Sequence, residues 1–143
     1  MTAPSPDGTT VRFRYASRRR GDCVIRLECP RPDDHICRQI RTLGTFYEHD
    51  LLRYLEAMLG GEPPGLIVDV GANMGNHAVF FARFLATGVV AIEPNPSVVP
   101  ILERNLRRNA GPGASWEVVA AAVGAASGTG VVVLPEDESN IGM

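Results

Sequence analysis

The chain has no lysine, and all fourteen of its basic side chains are arginine. Cysteine and tryptophan are scarce too, with three and one, and aromatic residues make up 6%. Three cysteines, Cys23, Cys29 and Cys37, build no metal or disulfide framework. Cys23 and Cys29 fall on one apparent strand, six residues and about 20 Å apart, too far to bridge each other. Reduced thiols and a cytoplasmic location are therefore expected. No apolar run approaches about 18 residues, and the opening MTAPSPDGTT lacks an apolar core, so neither a membrane span nor a secretion signal is expected. Carboxylates and histidines show no ligand spacing, so no metal is expected.

The formal net charge of −2 gives no general nucleic-acid signal. It conceals an asymmetry, because residues 1–42 hold nine arginines against five acids and the remainder five against eleven. Arg18, Arg19 and Arg20 sit between two strand-like runs, where they read as a solvated hairpin tip rather than a phosphate-binding patch.

At 143 residues the chain suits one domain, able to bury about 68–70% of its unfolded surface. Residues 1–10 read as a disordered lead. Val11–Tyr15 and Cys23–Cys29 alternate apolar and polar residues around a Ser17–Asp22 turn, predicting an antiparallel hairpin. Asp33 or Asp34 caps a helix that runs to Leu43 and stops at Gly44. Thr45-x-x-Glu48 forms a capping box opening a second helix through Leu59, its apolar face being Leu51, Leu55, Met58 and Leu59. These elements make an N-terminal extension over residues 11–62.

From residue 63 the pattern changes to βαβαβ. Leu66–Val70 is a continuous apolar run, as in a parallel strand covered on both faces. A helix spans Asn76–Ala86, a strand Gly88–Glu93, and a helix from near Ser97 to Asn109 with Pro100 in its first turn. Trp116–Val123 is a third strand, Gly124–Gly130 a turn, and Val131–Leu134 a further short strand. The fold class is α/β, Rossmann-like.

Between the first of these strands and its helix stands Asp69-x-Gly71-x-Asn73-x-Gly75, and Glu93 follows 24 positions after Asp69 at the tip of the next strand. A dinucleotide fingerprint would need glycine where Asn73 and Asn76 stand. An acid at the second strand tip can accept hydrogen bonds from both ribose hydroxyls of a nucleoside.

The glycine pattern resembles the first motif of class I S-adenosylmethionine methyltransferases, with Asn73 at the middle glycine. More narrowly, DVGANMGNHAVFFA and AIEPNP resemble the FkbM-type methyltransferases, in which an FYE segment precedes them. That segment is Phe46-Tyr47-Glu48 here, and an N-x-G follows as Asn140-Ile141-Gly142. The resemblance implies the N-terminal half of a class I methyltransferase sheet, since three of its usual seven strands are placed. The chain is accordingly read as a fragment or natural truncation. The resemblance also implies S-adenosyl-L-methionine as cofactor and a hydroxyl on a small molecule or saccharide as acceptor. The absence of an N-P-P-Y-like run disfavours methylation of nucleic-acid amino groups, and no nucleic-acid partner is expected.

The cofactor contacts implied are Asp69, Gly71, Ala72, Asn73, Gly75, Asn76, Glu93, Pro94, Asn95 and Ala121, with Ala122 beside it. Several have plainer roles open to them. Asp69 could organise the turn, Asn73 could serve a left-handed backbone, His77 could be a polar first-turn residue, and Asn105 could bond a neighbouring loop. No catalytic base is nominated. A half-sheet would leave an open edge and one uncovered apolar face, which favour self-association. The rival reading is a non-catalytic remnant or interaction module, with an NAD-dependent oxidoreductase kept as a control.

Overall fold

Alternating arginine and apolar residues can only be satisfied by a strand with one wet and one dry face, and the N-terminus forms such a strand. In the computed structural model, which describes residues 9–59 and 61–133, β1 (Thr10–Ser17) pairs antiparallel with β2 (Gly21–Glu28). Val11, Phe13, Tyr15, Ile25 and Leu27 face inward and are buried, while Arg12, Arg14, Val24 and Arg26 face solvent. The expected hairpin is present.

α1 (His35–Leu43) begins at Asp34, whose Oδ1 accepts from the Cys37 N–H at 3.0 Å, and ends at Gly44 with φ 67°. α2 (His49–Met58) departs from expectation twice. No capping box forms: Glu48 itself holds the N-cap with φ 53°, and the buried Thr45 hydroxyl has no hydrogen-bond partner. The inward face is also rotated. Leu51 and Met58 are exposed, whereas Leu52 and Glu56 are buried with Leu55 and Leu59 packed beside them. The cause is Glu56, only 2% exposed, which accepts from the Ser17 hydroxyl at 2.7 Å and the Arg18 N–H at 3.0 Å. A buried carboxylate with such partners acts as an anchor, so the helix turns it inward. Arg19 completes the joint by donating to the carbonyls of Leu59 (2.9 Å) and Gly61 (3.1 Å) at the end of α2.

The α/β unit contains β3 (Ile67–Val70), β4 (Gly88–Ile92) and β5 (Ser115–Val119), all parallel in the order β3-β4-β5. The fold is α/β with a Rossmann-like parallel sheet. The first crossover is α3 (Asn76–Phe80), which runs on into a π-helical turn, Phe81–Leu85, closed by Ala86 N–H to Phe81 C=O at 2.9 Å. A uniform α-helix was expected there; the extra residue in the turn accompanies a dense aromatic core. Phe46 meets Phe13 and Phe80 edge-on at centroid distances of 4.9 and 5.2 Å. The second crossover is α4 (Val99–Asn109), with Pro100 in its first turn as expected.

Val89 and Ala91 join Leu102 and Leu106 in the core, but on the opposite face Val68 and Val70 are 51% and 58% exposed. Among the described residues β3 is therefore not covered on both faces, because the hairpin and both crossover helices gather on one side; the bare face is the uncovered apolar face expected of a half-sheet. β5 also ends at Val119, short of the expected Val123, and 131–133 form no strand. Leu134 and the Asn140–Gly142 segment lie outside the described residues.

Two further links, one local and one long-range, tie β2 to the helices. Cys29, just beyond β2, is disulfide-bonded to Cys37 in the first turn of α1, with Cα atoms 6.2 Å apart. This corrects the reduced-thiol expectation, which weighs Cys29 only against Cys23; Cys23 is free. Asn105 and Asn109 of α4 seal the outer edge of β2. The Glu28 and Arg26 N–H groups donate to their side-chain oxygens at 2.7 and 3.0 Å, and their amide nitrogens donate to the Glu28 and Arg26 carbonyls at 2.9 and 2.8 Å. Two side-chain amides one helical turn apart thereby stand in for a neighbouring strand. No helix among the described residues is long and apolar enough to cross a membrane.

Candidate functional site

Val70, Ile92 and Val119 lie in one row at the carboxyl ends of the three strands. The segments that leave those ends are therefore brought to one edge of the sheet, where open α/β folds place ligands. After β3 the chain turns sharply. The Gly71 and Ala72 N–H groups both donate to the Ile92 carbonyl, at 2.9 and 3.0 Å, and Gly75 N–H donates to Ala72 C=O at 2.9 Å. Gly71 (φ 77°), Asn73 (φ 49°) and Gly75 (φ 93°) all have left-handed backbones, which explains two glycines and an asparagine at alternate positions. A Cβ at Gly71 would meet nothing within 4 Å, so space is open beside the turn.

Glu93, 4% exposed, leaves β4 and reaches back to this turn. One carboxylate oxygen accepts from the Asn73 N–H and the other from the Asn95 N–H, each at 2.8 Å. Each oxygen keeps a further lone-pair site. Asn95 organises the next bend: its side-chain oxygen accepts from Ser97 N–H at 3.0 Å, and its carbonyl receives the first N–H groups of the following helix. Pro94 sits between the two.

Asp69 points toward the beginning of α3, where Ala78 N–H donates to its carboxylate, while its Oδ2 is buried without a hydrogen-bond partner. Burial pushes the Asp69 carboxyl above its ordinary value, against the opposing pull of His77 and the Ala78 N–H and with a small push from Glu93. The folded state consequently holds the Asp69 proton more tightly than the unfolded chain. Stability contributed by this group is present at low pH and is lost as pH rises from about 3.9 through the higher folded value. Asp69→Asn should therefore raise the melting temperature of the ligand-free chain at pH 7 while weakening any ligand held at this edge. Paired melts with and without ligand check both halves.

The remaining expected contacts fall in different places. Asn76 has both ends of its amide engaged: Tyr47 N–H donates to its oxygen at 3.0 Å, and its nitrogen donates to the Tyr47 carbonyl at 3.1 Å. It clamps the Phe46-Tyr47-Glu48 segment to the turn. His77 Nε2 lies 3.1 Å from a Glu48 carboxylate oxygen, so Glu48 faces α3 rather than capping its own helix. Ala72 is buried within the turn. Ala121 and Ala122 come after the end of β5 and are exposed, with Ala121 N–H bonded to Val119 C=O at 3.0 Å. The Met74 carbonyl in the turn accepts from Asn105 at 2.8 Å, which makes the glycine turn itself the loop that Asn105 bonds.

No protein-family model and no curated protein matches the chain. Among solved structures it is similar to a proposed RNA methyltransferase from Pyrococcus horikoshii, at 22% identity and a TM-score of 0.42, over 50% of this chain and 35% of that one. It is also similar to the tRNA (uracil-54, C5)-methyltransferase of Pyrococcus abyssi, solved with S-adenosyl-L-homocysteine, at 16% identity and a TM-score of 0.42. That match covers 76% of this chain and 24% of the other protein. The chain thus spans about a third and about a quarter of the two proteins. Neither is an FkbM-type enzyme by name.

Proposed function

We propose that this chain binds S-adenosyl-L-methionine at the carboxyl edge of its sheet and forms the cofactor-holding part of a methyltransferase. The observation that carries the reading is Glu93, a buried acid that grips the glycine turn and keeps one acceptor site on each oxygen for a ribose hydroxyl. Open space beside Gly71 and the partnerless Oδ2 of Asp69 fit the aminoacyl end of the same molecule. When bound, the sulfonium supplies an already activated methyl group, so the protein's task is orientation. Gly71, Ala72, Asn73 and Gly75 bring backbone close, Glu93 fixes the ribose, and the 93–95 bend with Pro94 and Asn95 shapes the floor. Asn76 holds the turn in place through Tyr47, and Ala121 stands at the adenine side. From the FkbM resemblance, the acceptor is a hydroxyl on a small molecule or saccharide.

Thermal melts with S-adenosylmethionine, S-adenosylhomocysteine and NAD test the proposal. Ligand at about a hundred times its dissociation constant adds roughly 2.7 kcal/mol, a rise of about 5–10 °C at this size. The first two ligands are expected to give that rise, and Glu93→Gln, which places an NH2 against one of two N–H donors, to abolish it. A larger shift with NAD would replace the reading with a dinucleotide site, and a cooperative melt unmoved by all three would end it. A second reading, an interaction module without catalysis, is favoured by the exposed Val68 and Val70 face. It predicts self-association on a sizing column together with no ligand shift.

A further inference from the structure

The outward face of the N-terminal hairpin has no part in the cofactor reading, yet it has the chemistry of a binding site. A groove of about 470 Å³ runs along it, lined by Arg12, Arg14, Val24, Arg41, Thr42, Leu43 and Gly44 over the buried Phe13. Three guanidinium groups line the groove and no carboxylate does. We propose that this groove binds the phosphodiester backbone of a single-stranded nucleic acid, seated on Arg12 and Arg14, with Arg41, whose guanidinium also donates to the Pro32 carbonyl and the Cys29 sulfur, at its rim. The inference is independent of the cofactor site, and it reverses the expectation drawn from net charge.

The arrangement is costly to the fold by itself. Arg12 stands directly opposite Arg26 in the β1–β2 ladder, and Arg14 lies two residues along on the same face. Like charges placed directly across a strand pair destabilise it. Neither Arg12, Arg14 nor Arg26 has an ion-pair or hydrogen-bond partner for its side chain among the described residues. The acids on this face are at its two ends: Asp22 opposite Ala16, and Glu28, held by Arg104 in a two-pronged pair at 2.9 and 2.6 Å. An anion in the groove would offset the repulsion that the hairpin leaves uncompensated.

The kind of anion follows from the donors and their extent. Every donor is arginine, whose planar fork matches phosphate oxygens two at a time. The basic stripe continues from the groove to the exposed Arg18 and Arg20 at the hairpin tip. Eight residues of β1 at about 3.3 Å each span about 26 Å, longer than a single phosphate group and suited to a chain of them. Exposed Val24 and Leu43 give the groove apolar sides for sugar and base edges, while no aromatic ring is exposed there for stacking. Recognition should accordingly be insensitive to base sequence.

The test is fluorescence anisotropy of the 143-residue chain with a labelled oligouridylate of about a dozen nucleotides, followed between about 50 and 200 mM salt. Arg12→Gln/Arg14→Gln is expected to weaken binding at least about tenfold at the lower salt and to flatten the log–log salt slope by about 1.4, two single-strand contacts at 0.7 each. Arg107→Gln/Arg108→Gln on α4 removes the same charge elsewhere and should bind as the parent does; oligoadenylate should equal oligouridylate. The groove variant should melt cooperatively, since it relieves repulsion. No binding by the parent chain, equal losses in both variants, or an unaffected groove variant would overturn the proposal. Full displacement by millimolar inorganic pyrophosphate would assign the groove to a small phosphate and overturn it too.

Discussion

Gly75→Ala should lower the melting temperature by about 10 °C, whereas Gly71→Ala should cost far less stability and still eliminate the ligand-induced shift. Both glycines hold left-handed backbones, at φ 93° and 77°, so alanine at either carries a conformational penalty of about 1–2 kcal/mol. The surroundings separate them. A Cβ at position 75 would lie 2.7 Å from the Leu102 Cδ1 and 3.9 Å from its Cα. Leu102 is fully buried in α4, and overpacking such a site adds about 1–3 kcal/mol. A Cβ at position 71 meets no protein atom, only the open space assigned to the cofactor. One glycine lets two elements of the fold approach and the other leaves room for a ligand. Melts of both variants, each with and without S-adenosylmethionine, separate those roles. Equal losses of stability would refute the distinction.

Asn105→Ala is expected to destabilise the chain by about 3–5 kcal/mol, more than most single substitutions. Asn105 is 0% exposed and serves three backbone groups: the Glu28 N–H, the Glu28 carbonyl and the Met74 carbonyl. Alanine leaves these groups short of partners in a region that water reaches poorly, at about 1–3 kcal/mol for each one fully buried. The loss would reach the glycine turn through Met74 as well as the hairpin. Hydrogen exchange is the direct readout: the Glu28 amide should lose protection in the variant, while amides within β4 change only as global stability falls. Asn105→Asp, which keeps the acceptor and removes the donor, should retain the Glu28 N–H bond yet still destabilise by placing a charge against two carbonyls.

The βαβαβ order, the glycine turn and the acid after β4 are legible in the sequence because each is written in neighbouring residues: continuous apolar runs, glycines at left-handed positions, and an acid at a strand tip. The hairpin and α1 are legible for the same reason, through alternation and the Asp34 and Gly44 caps. What escapes is decided by partners far along the chain. Nothing near Glu56 says that Ser17 and Arg18 will claim its carboxylate and rotate α2. Cys29 and Cys37 are only eight residues apart, yet no spacing rule pairs them; they meet because the segment between β2 and α1 doubles back. The Thr45-x-x-Glu48 spacing assigns Glu48 to its own helix, while its side chain belongs to His77 on α3. The edge-sealing pair is half legible: Asn105 reads as a residue that bonds a neighbouring loop, while the role of Asn109 and the edge of β2 do not show in the sequence. Two asparagines four residues apart on the inward stripe of α4 are poor helix formers in a buried position, and such residues stay only where their amides have work to do.

That pair also sets a clock on biosynthesis. The edge of β2 is sealed by residues 77 and 83 positions further on. At synthesis rates of about 5–20 residues per second, the ribosome needs roughly 4–17 s to add them after the hairpin has been made. Throughout that interval β2 can pair with β1, but its outer edge has no amides from α4 to meet. The nascent hairpin, with its row of arginines facing solvent, meets the cell before the helix that closes it has been translated. Strand-edge charge of this kind is a recognised deterrent to pairing with other chains, so Arg26, which projects from β2 itself opposite Arg12 of the groove, guards the unfinished edge.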